Sequence, residues 1–189
     1  MTAATQEPPG ASRLKFLLPL LVGAAVALTI GVFGNVYDPT GKTLINQIFT
    51  RTIVFKSWFA TAAVTLALFQ LASALRMYGR ISVPREMPSW LPLVHRMTGT
   101  LALLFAIPVA YHCLWAIGFQ DTELRTLIHS LAGCFFFGAF AAKVVVVHSR
   151  ALPGWWLPVA GGSLFTGLTV LWLTSAFWFF TTYGLQFQF

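Results

Sequence analysis

Five long apolar stretches dominate the 189-residue sequence and strongly restrict how it can fold. A helix needs about 20 apolar residues to cross a hydrocarbon core that is roughly 30 Å thick. Backbone groups in lipid must pair within the spanning structure, which allows only helices or a closed barrel, and these stretches are too long for barrel strands. The sequence therefore predicts an all-α integral membrane protein with about five transmembrane helices, near Phe16–Val36, Ser57–Tyr78, Leu93–Phe119, Leu127–Val147 and Trp155–Phe180.

The scarcity of charge indicates that lipid covers most of the surface. Charged residues make up 9% of this chain, whereas about a quarter of the residues in a soluble domain are charged. The formal net charge of +7 does not indicate nucleic-acid binding, because the basic residues lie at the predicted helix ends. There they set the orientation of the protein in the membrane.

The distribution of basic residues predicts that orientation. Eight fall on the side where the first span begins: Arg13, Lys15, Arg76, Arg80, Arg85, Arg96, Lys143 and Arg150. Four fall on the opposite side: Lys42, Arg51, Lys56 and Arg125. Because cytoplasmic loops carry the excess of Lys and Arg, we expect a cytoplasmic N-terminus, with the inverted topology as the alternative. Residues 1–12 are polar and are predicted to form a disordered tail, followed by a single transmembrane domain over residues 13–189.

All four histidines lie on the third and fourth predicted spans. The gap from His95 to His112 corresponds to about 25 Å along a helix, and the gap from His129 to His148 to about 28 Å. Because these helices are antiparallel, His112 falls level with His129, and His95 with His148. Two imidazoles at one depth on facing helices can supply both axial ligands of a haem iron. The pattern predicts one or two b-type haems, and the alternative is that the histidines are interfacial or make interhelical hydrogen bonds.

Small and basic neighbours extend this predicted site. Gly99 and Gly133 follow His95 and His129 at the i+4 position, on the same helix face, and leave room for a flat macrocycle. Arg96 and Arg125 lie near the two levels, and guanidinium groups suit propionate carboxylates. Bis-histidine ligation also requires helices that stand farther apart than the usual 8–10 Å contact, so we expect the third and fourth spans to be splayed or diagonal.

One further polar residue lies deep in the second span. Gln70 could line a quinone or haem pocket, although an interhelical hydrogen bond is the favoured interpretation. Lys56 and Lys143 lie close enough to span ends to reach the interface. The sequence contains no phosphate-binding loop, nucleophile elbow or zinc-protease motif.

Several short motifs resemble those of an uncharacterised bacterial family of five-helix membrane proteins. They are His95-Arg96-Met97-Thr98-Gly99, Pro108-Val109-Ala110-Tyr111-His112-Cys113, His129-Ser130-Leu131-Ala132-Gly133-Cys134, Leu152-Pro153-Gly154-Trp155, Asp38-Pro39-Thr40-Gly41 and Lys56-Ser57-Trp58. The resemblance covers most of the chain after the tail and implies a multi-pass protein of the bacterial inner membrane. The family pattern includes the first three histidines, and His148 lies outside it. More distantly, the sequence is similar to membrane b-type cytochromes of the ferric-reductase and ascorbate-reducible kinds.

The leading functional prediction is a b-type cytochrome that transfers electrons between a quinone or protein donor and a partner on the outer face. The chain has no flavin or nicotinamide motif, so a two-electron donor would be a quinone or another electron-transfer subunit. One alternative is a haem-free subunit or assembly factor of a membrane complex. A small transporter is a third interpretation, which the scarcity of acidic residues in the spans disfavours.

Overall fold

The described part of the protein is almost entirely helical. A computed structural model describes residues 9–42, 51–82, 86–149 and 152–187. Its α-helices are α1 (Pro9–Val36), α2 (Thr52–Met77), α3 (Leu91–His112), α4 (Leu124–His148), α5 (Trp156–Trp172) and α6 (Trp178–Tyr183). Two π-helical turns accompany them: Cys113–Ile117 extends α3, and Leu173–Phe177 joins α5 to α6. Residues 1–8 of the predicted tail lie outside the described residues, and α1 begins at Pro9.

The predicted fold class is confirmed. Five helical segments of the described chain are long and apolar enough to cross a membrane: Phe16–Val36, Thr52–Met77, Leu91–Ile117, Leu124–His148 and Trp156–Tyr183. The first agrees with the prediction at both ends, and the largest difference is at the second, which begins at Thr52 rather than Ser57. The end of the bundle where the last span finishes is called the C-side, and it contains Val36, Thr52, Ile117, Leu124 and Tyr183. The opposite end, where the first span begins, is called the N-side, and it contains Phe16, Met77, Leu91, His148 and Trp156.

Large apolar side chains cover the outside of these helices. Leu28, Val32, Met97 and Leu131 are each more than half exposed, and many other large apolar residues are exposed as well. An apolar surface of this extent is unfavourable in water and favourable against lipid tails. The surface therefore fits a multi-pass membrane protein.

The spans pack in the order α1, α4, α5, α2 and α3, and each contacts its neighbours in this order. Gly23 and Gly138 bring α1 and α4 together, since a Cβ at Gly138 would lie 2.6 Å from the Gly23 carbonyl oxygen. Close packing through small residues is a general way to join helices in lipid. Between α5 and α2, the Trp172 indole donates to the Thr61 hydroxyl at 3.0 Å. The helices that carry the histidines, α3 and α4, thus stand on opposite sides of the α2–α5 pair.

The separation of α3 and α4 confirms the expectation that these helices are not close neighbours. In the described residues their mutual packing is weak, whereas α3 packs mainly on α2 and α4 packs on α1 and α5.

At the C-side, the end of α1 is joined to the connection after α3. The Phe119 amide donates to the Gly34 carbonyl at 2.7 Å. Gly118 has a φ of +74°, and a Cβ there would lie 2.9 Å from Pro39, so this turn needs glycine.

Candidate functional site

A cavity of about 340 Å³ lies between α3 and α4 in the C-side half of the bundle. All five spans contribute to its lining, which includes Ile30, Ala60, Ala106, Gly133 and Leu168. Its walls are almost wholly apolar. Ligand-binding cavities in proteins typically measure roughly 300–1,000 Å³ and have mainly apolar linings, so this cavity is of ligand-binding size.

His129 lines the cavity, and a neighbouring span fixes its orientation. Its Nδ1 lies 3.0 Å from the hydroxyl oxygen of Thr174, in the second π-helical turn. That hydroxyl donates its own hydrogen to the Val170 carbonyl at 2.7 Å. Nδ1 must therefore carry the hydrogen of the imidazole, which puts the free lone pair on Nε2. Metal-binding histidines are usually oriented in this way by a partner at the other ring nitrogen.

His112 is the last residue of α3, directly before the first π-helical turn. Its side chain is only 7% exposed, and the neighbouring residues Tyr111 and Cys113 line the cavity. Each π-helical turn is therefore next to one of the two C-side histidines. Cys113–Ile117 directly follows His112, and the other turn carries Thr174, the partner of His129. Single π-helical turns inside α-helices occur frequently at functional sites.

Lys56 connects the two C-side histidines electrostatically. Its ammonium group interacts with the imidazoles of both His112 and His129. The Lys56 Nζ atom also lies 3.9 Å from the Cys113 sulfur. The sequence placed Lys56 close enough to a span end to reach the interface, and it did not indicate the contact with Cys113. The signal that could have found this contact is the register of Lys56, because the fifth residue of α2 falls level with the end of the antiparallel α3.

The other predicted C-side residues, Gly133 and Arg125, have different surroundings. Gly133 lines the cavity, and among the described residues a Cβ there would meet Leu171 alone, at 3.9 Å. Arg125 donates to the Thr174 carbonyl at 2.9 Å and lies 3.9 Å from the centre of the Trp178 ring. It also pairs with Glu123 at 3.7 Å. Gly133 therefore leaves space at the site, whereas Arg125 joins α4 to the end of the fifth span.

On the N-side, His95 belongs to a hydrogen-bonded cluster between α2 and α3. Its Nδ1 lies 2.7 Å from the Ser73 hydroxyl oxygen, and that hydroxyl donates its hydrogen to the Phe69 carbonyl at 2.7 Å. The Gln70 amide donates to the His95 carbonyl and, at 2.6 Å, to the Thr98 hydroxyl. The predicted interhelical hydrogen bond of Gln70 is thus confirmed.

The space next to Gly99, which the sequence pattern assigned to a macrocycle, is occupied by the Gln70 side chain. A Cβ at Gly99 would lie 3.0 Å from the Gln70 Oε1 atom, which is closer than ordinary van der Waals contact. The two predicted glycines therefore differ: the space beside Gly133 belongs to the cavity, and the space beside Gly99 is filled by an amide.

Among the described residues, the hydrogen bonds of His148 and His95 go to different partners and do not join the two histidines. His148 is exposed, and its Nδ1 lies 2.8 Å from the Val144 carbonyl of its own helix. The charged neighbour of His95 is Lys143, which interacts with it electrostatically from α4. Arg96 is exposed at the surface of α3. The predicted ligand roles of His95 and His148 stay predictions, and the described contacts give them no common site.

Comparison with known proteins identifies the family. A family model described as a family of unknown function (DUF6529) matches residues 16–187, which include all five spans and all four histidines. No curated protein and no solved structure matches the chain significantly. The resemblance to a membrane family without an assigned function is thereby supported, and no similarity to b-type cytochromes is found. Because the match covers nearly the whole chain, the protein belongs to the DUF6529 family, whose function is unknown.

Proposed function

We propose that this protein is a membrane b-type cytochrome that holds one haem between α3 and α4 and passes electrons through it. The observation that carries the proposal is the C-side cavity between two helices that do not pack closely. His129 lines this cavity with Nδ1 in contact with the Thr174 hydroxyl. His112 is buried at the same level, directly behind the lining, to which its neighbours Tyr111 and Cys113 belong. His112 and His129 are the proposed axial ligands, one from each helix.

The residues present fit such a group in three respects. The orientation of His129 leaves Nε2 as the coordinating nitrogen. The apolar walls exclude water from the ligand and provide the low-polarity surroundings that membrane haems occupy. Lys56 supplies positive charge near the site, since its Nζ atom lies 3.9 Å from the sulfur of Cys113, the residue after His112. A bound haem would supply a one-electron carrier, and the chain would set its ligation, orientation and solvent access.

The proposed electron path rests on two features of the sequence: the cofactor motifs that it lacks and the distribution of its basic residues. Without a flavin or nicotinamide motif, the donor would be a lipid-soluble quinone or a protein subunit. The excess of basic residues on the N-side supports a cytoplasmic N-terminus in the bacterial inner membrane. The cavity then lies in the outer half of the bilayer, and the acceptor would be a partner on the outer face.

The test is a reduced-minus-oxidised absorption spectrum of the purified protein, produced with a full supply of haem. We expect the bands of one low-spin b-type haem per chain. His112→Ala and His129→Ala should each abolish these bands, because a bis-histidine haem loses one axial ligand. His148→Ala is the matched control, since this exposed histidine contacts only its own helix in the described structure.

Two outcomes would overturn the proposal. One is a wild-type protein that binds no haem, which would favour the haem-free subunit or assembly factor. The other is a haem spectrum that survives both His112→Ala and His129→Ala unchanged. A ratio of two haems per chain, lowered to one by His148→Ala, would instead restore the inner pair predicted from the sequence.

A further inference from the structure

We infer that Lys56 is the residue that binds the carboxylate of an amphiphilic ligand in the C-side cavity. If the proposed function is correct, this carboxylate is a haem propionate. The inference rests on that function and adds to it a residue for which the sequence indicated a different role. It concerns how the ligand is anchored and oriented, rather than which atoms bind the iron.

Lys56 is not itself a lining residue of the cavity, but it contacts the lining through Cys113. Lys56 is the fifth residue of α2, and His129 is the sixth residue of α4, so both lie about 6–8 Å inside the C-side ends of their helices. A lysine at this depth can extend its chain to the interface. Lys56 instead places Nζ 3.9 Å from Cys113 and within electrostatic range of both histidines.

The charge of Lys56 has no acidic partner among the residues that the structure describes. In that part of the chain, the ion pair that forms is between Arg125 and Glu123. A thiol such as that of Cys113 is only a weak acceptor. An ammonium group beside apolar walls is costly unless an anion pairs with it. The missing anion is therefore best supplied by the ligand itself.

The cavity and Lys56 together define the class of ligand. The apolar walls suit a large apolar body, and Lys56 at the C-side suits an acidic group directed toward the membrane surface. A haem has this form, with an apolar macrocycle and two propionates at one edge. Arg125, which the sequence indicated for this task, is already bound to Thr174, Trp178 and Glu123. Lys56 is the better candidate because its ammonium group is not engaged in this way.

The experiment compares two haems in four forms of the full-length protein. Haem and haem dimethyl ester, whose propionates are neutral, are titrated into the haem-depleted wild type, Lys56→Gln, Lys56→Arg and Lys42→Gln. Lys42 is the matched control because it is an exposed lysine on the same side of the bundle. The readouts are the dissociation constant of each haem and the midpoint potential of the bound haem.

We expect Lys56→Gln to weaken haem binding about ten- to hundred-fold, which is the range for a charge-assisted hydrogen bond. Haem dimethyl ester should bind the wild type more weakly by a similar factor, and Lys56→Gln should bind both haems about equally. The midpoint potential of Lys56→Gln should fall, because a nearby positive charge that disfavours ferric iron is lost. Lys56→Arg should retain most of the affinity, and Lys42→Gln should match the wild type.

The possible failures are distinguishable. If the wild type binds haem but Lys56→Gln binds it equally well, the assignment of Lys56 is wrong and the proposed function stands. The same conclusion follows if esterification weakens binding to the wild type and to Lys56→Gln by equal factors. If the wild type binds neither haem, the proposed function is wrong, and the assignment of Lys56 fails with it.

Discussion

Replacing Thr174 by valine tests whether the fifth span orients His129 for ligation. Valine has nearly the shape of threonine but no hydroxyl, so Thr174→Val removes the acceptor of the 3.0 Å contact with Nδ1. It retains the Thr174 carbonyl, to which Arg125 donates at 2.9 Å. The change therefore affects the imidazole and leaves the contact between α4 and the fifth span in place.

The magnitude follows from what the hydroxyl does in the structure. A single hydrogen bond contributes about 0.5–1.5 kcal/mol net, and about 1.4 kcal/mol corresponds to a tenfold change in binding. Outer partners of metal-bound histidines typically contribute 10- to 100-fold to metal affinity, because they fix both the tautomer and the ring orientation. We therefore expect Thr174→Val to weaken haem binding by at least about tenfold.

The assay is haem titration of the depleted protein, followed by ferric electron paramagnetic resonance of the loaded form. In Thr174→Val the low-spin signal should broaden, because the ring of His129 loses its fixed orientation. Thr181→Val is the control, since within the described residues the hydrogen bonds of the Thr181 hydroxyl go to the carbonyls of Phe177 and Trp178 in its own span. The reasoning is refuted if Thr174→Val keeps the wild-type affinity and signal, or if Thr181→Val loses as much.

Two further predictions do not depend on haem. Gly138→Ala should destabilise the detergent-solubilised protein by about 1–3 kcal/mol in thermal unfolding, because its Cβ would lie 2.6 Å from the Gly23 carbonyl oxygen. Gly162→Ala is the control, because no described residue lies within 4 Å of its added Cβ, and it should be neutral or stabilising by up to about 1 kcal/mol. Equal losses in both variants would contradict the α1–α4 contact. For orientation, with the native cysteines replaced, a cysteine introduced at Ser82 should resist an impermeant thiol reagent in intact cells, whereas one at Thr122 should react. The reverse labelling would invert the proposed topology.

Hydropathy was sufficient to predict the fold, because a bilayer imposes both the length and the helical form of each span. The boundary of α2 was less predictable. Thr52 and Lys56 are polar residues in the first turns of an otherwise apolar helix, so the hydropathy of the sequence suggested that the span starts after them, at Ser57. The separation of α3 and α4 was anticipated from the space that bis-histidine ligation needs, although the sequence did not show which helices lie between them.

The candidate site was predictable only in part, because its supporting contacts come from distant helices. Levels along α3 and α4 follow from the rise per residue, so His112 and His129 could be matched in depth. Thr174 lies 45 positions from its partner His129, and no local spacing links the two. The register of α2 against α3 could have indicated Ser73 and Lys56, since these antiparallel helices are sequence neighbours. Their side-chain directions required the packed structure.

The two sides of the bundle show why a histidine pattern alone does not define a haem site. On both sides a histidine Nδ1 contacts a hydroxyl on another span, Ser73 for His95 and Thr174 for His129, and each hydroxyl is bonded to its own backbone. The two imidazoles therefore have the same kind of partner at Nδ1, and this contact does not show which side holds a ligand. The space next to each histidine does distinguish the two sides. The Gln70 side chain fills the space at Gly99, whereas the cavity includes the space at Gly133. The N-side arrangement uses its polar groups to join α2 to α3 with their hydrogen bonds satisfied inside the protein, as lipid requires. The N-side also has an imidazole with a hydroxyl partner and a nearby cation, Lys143, so the feature that distinguishes the C-side is its open cavity. The cavity is therefore the reason for proposing one ligand site rather than two.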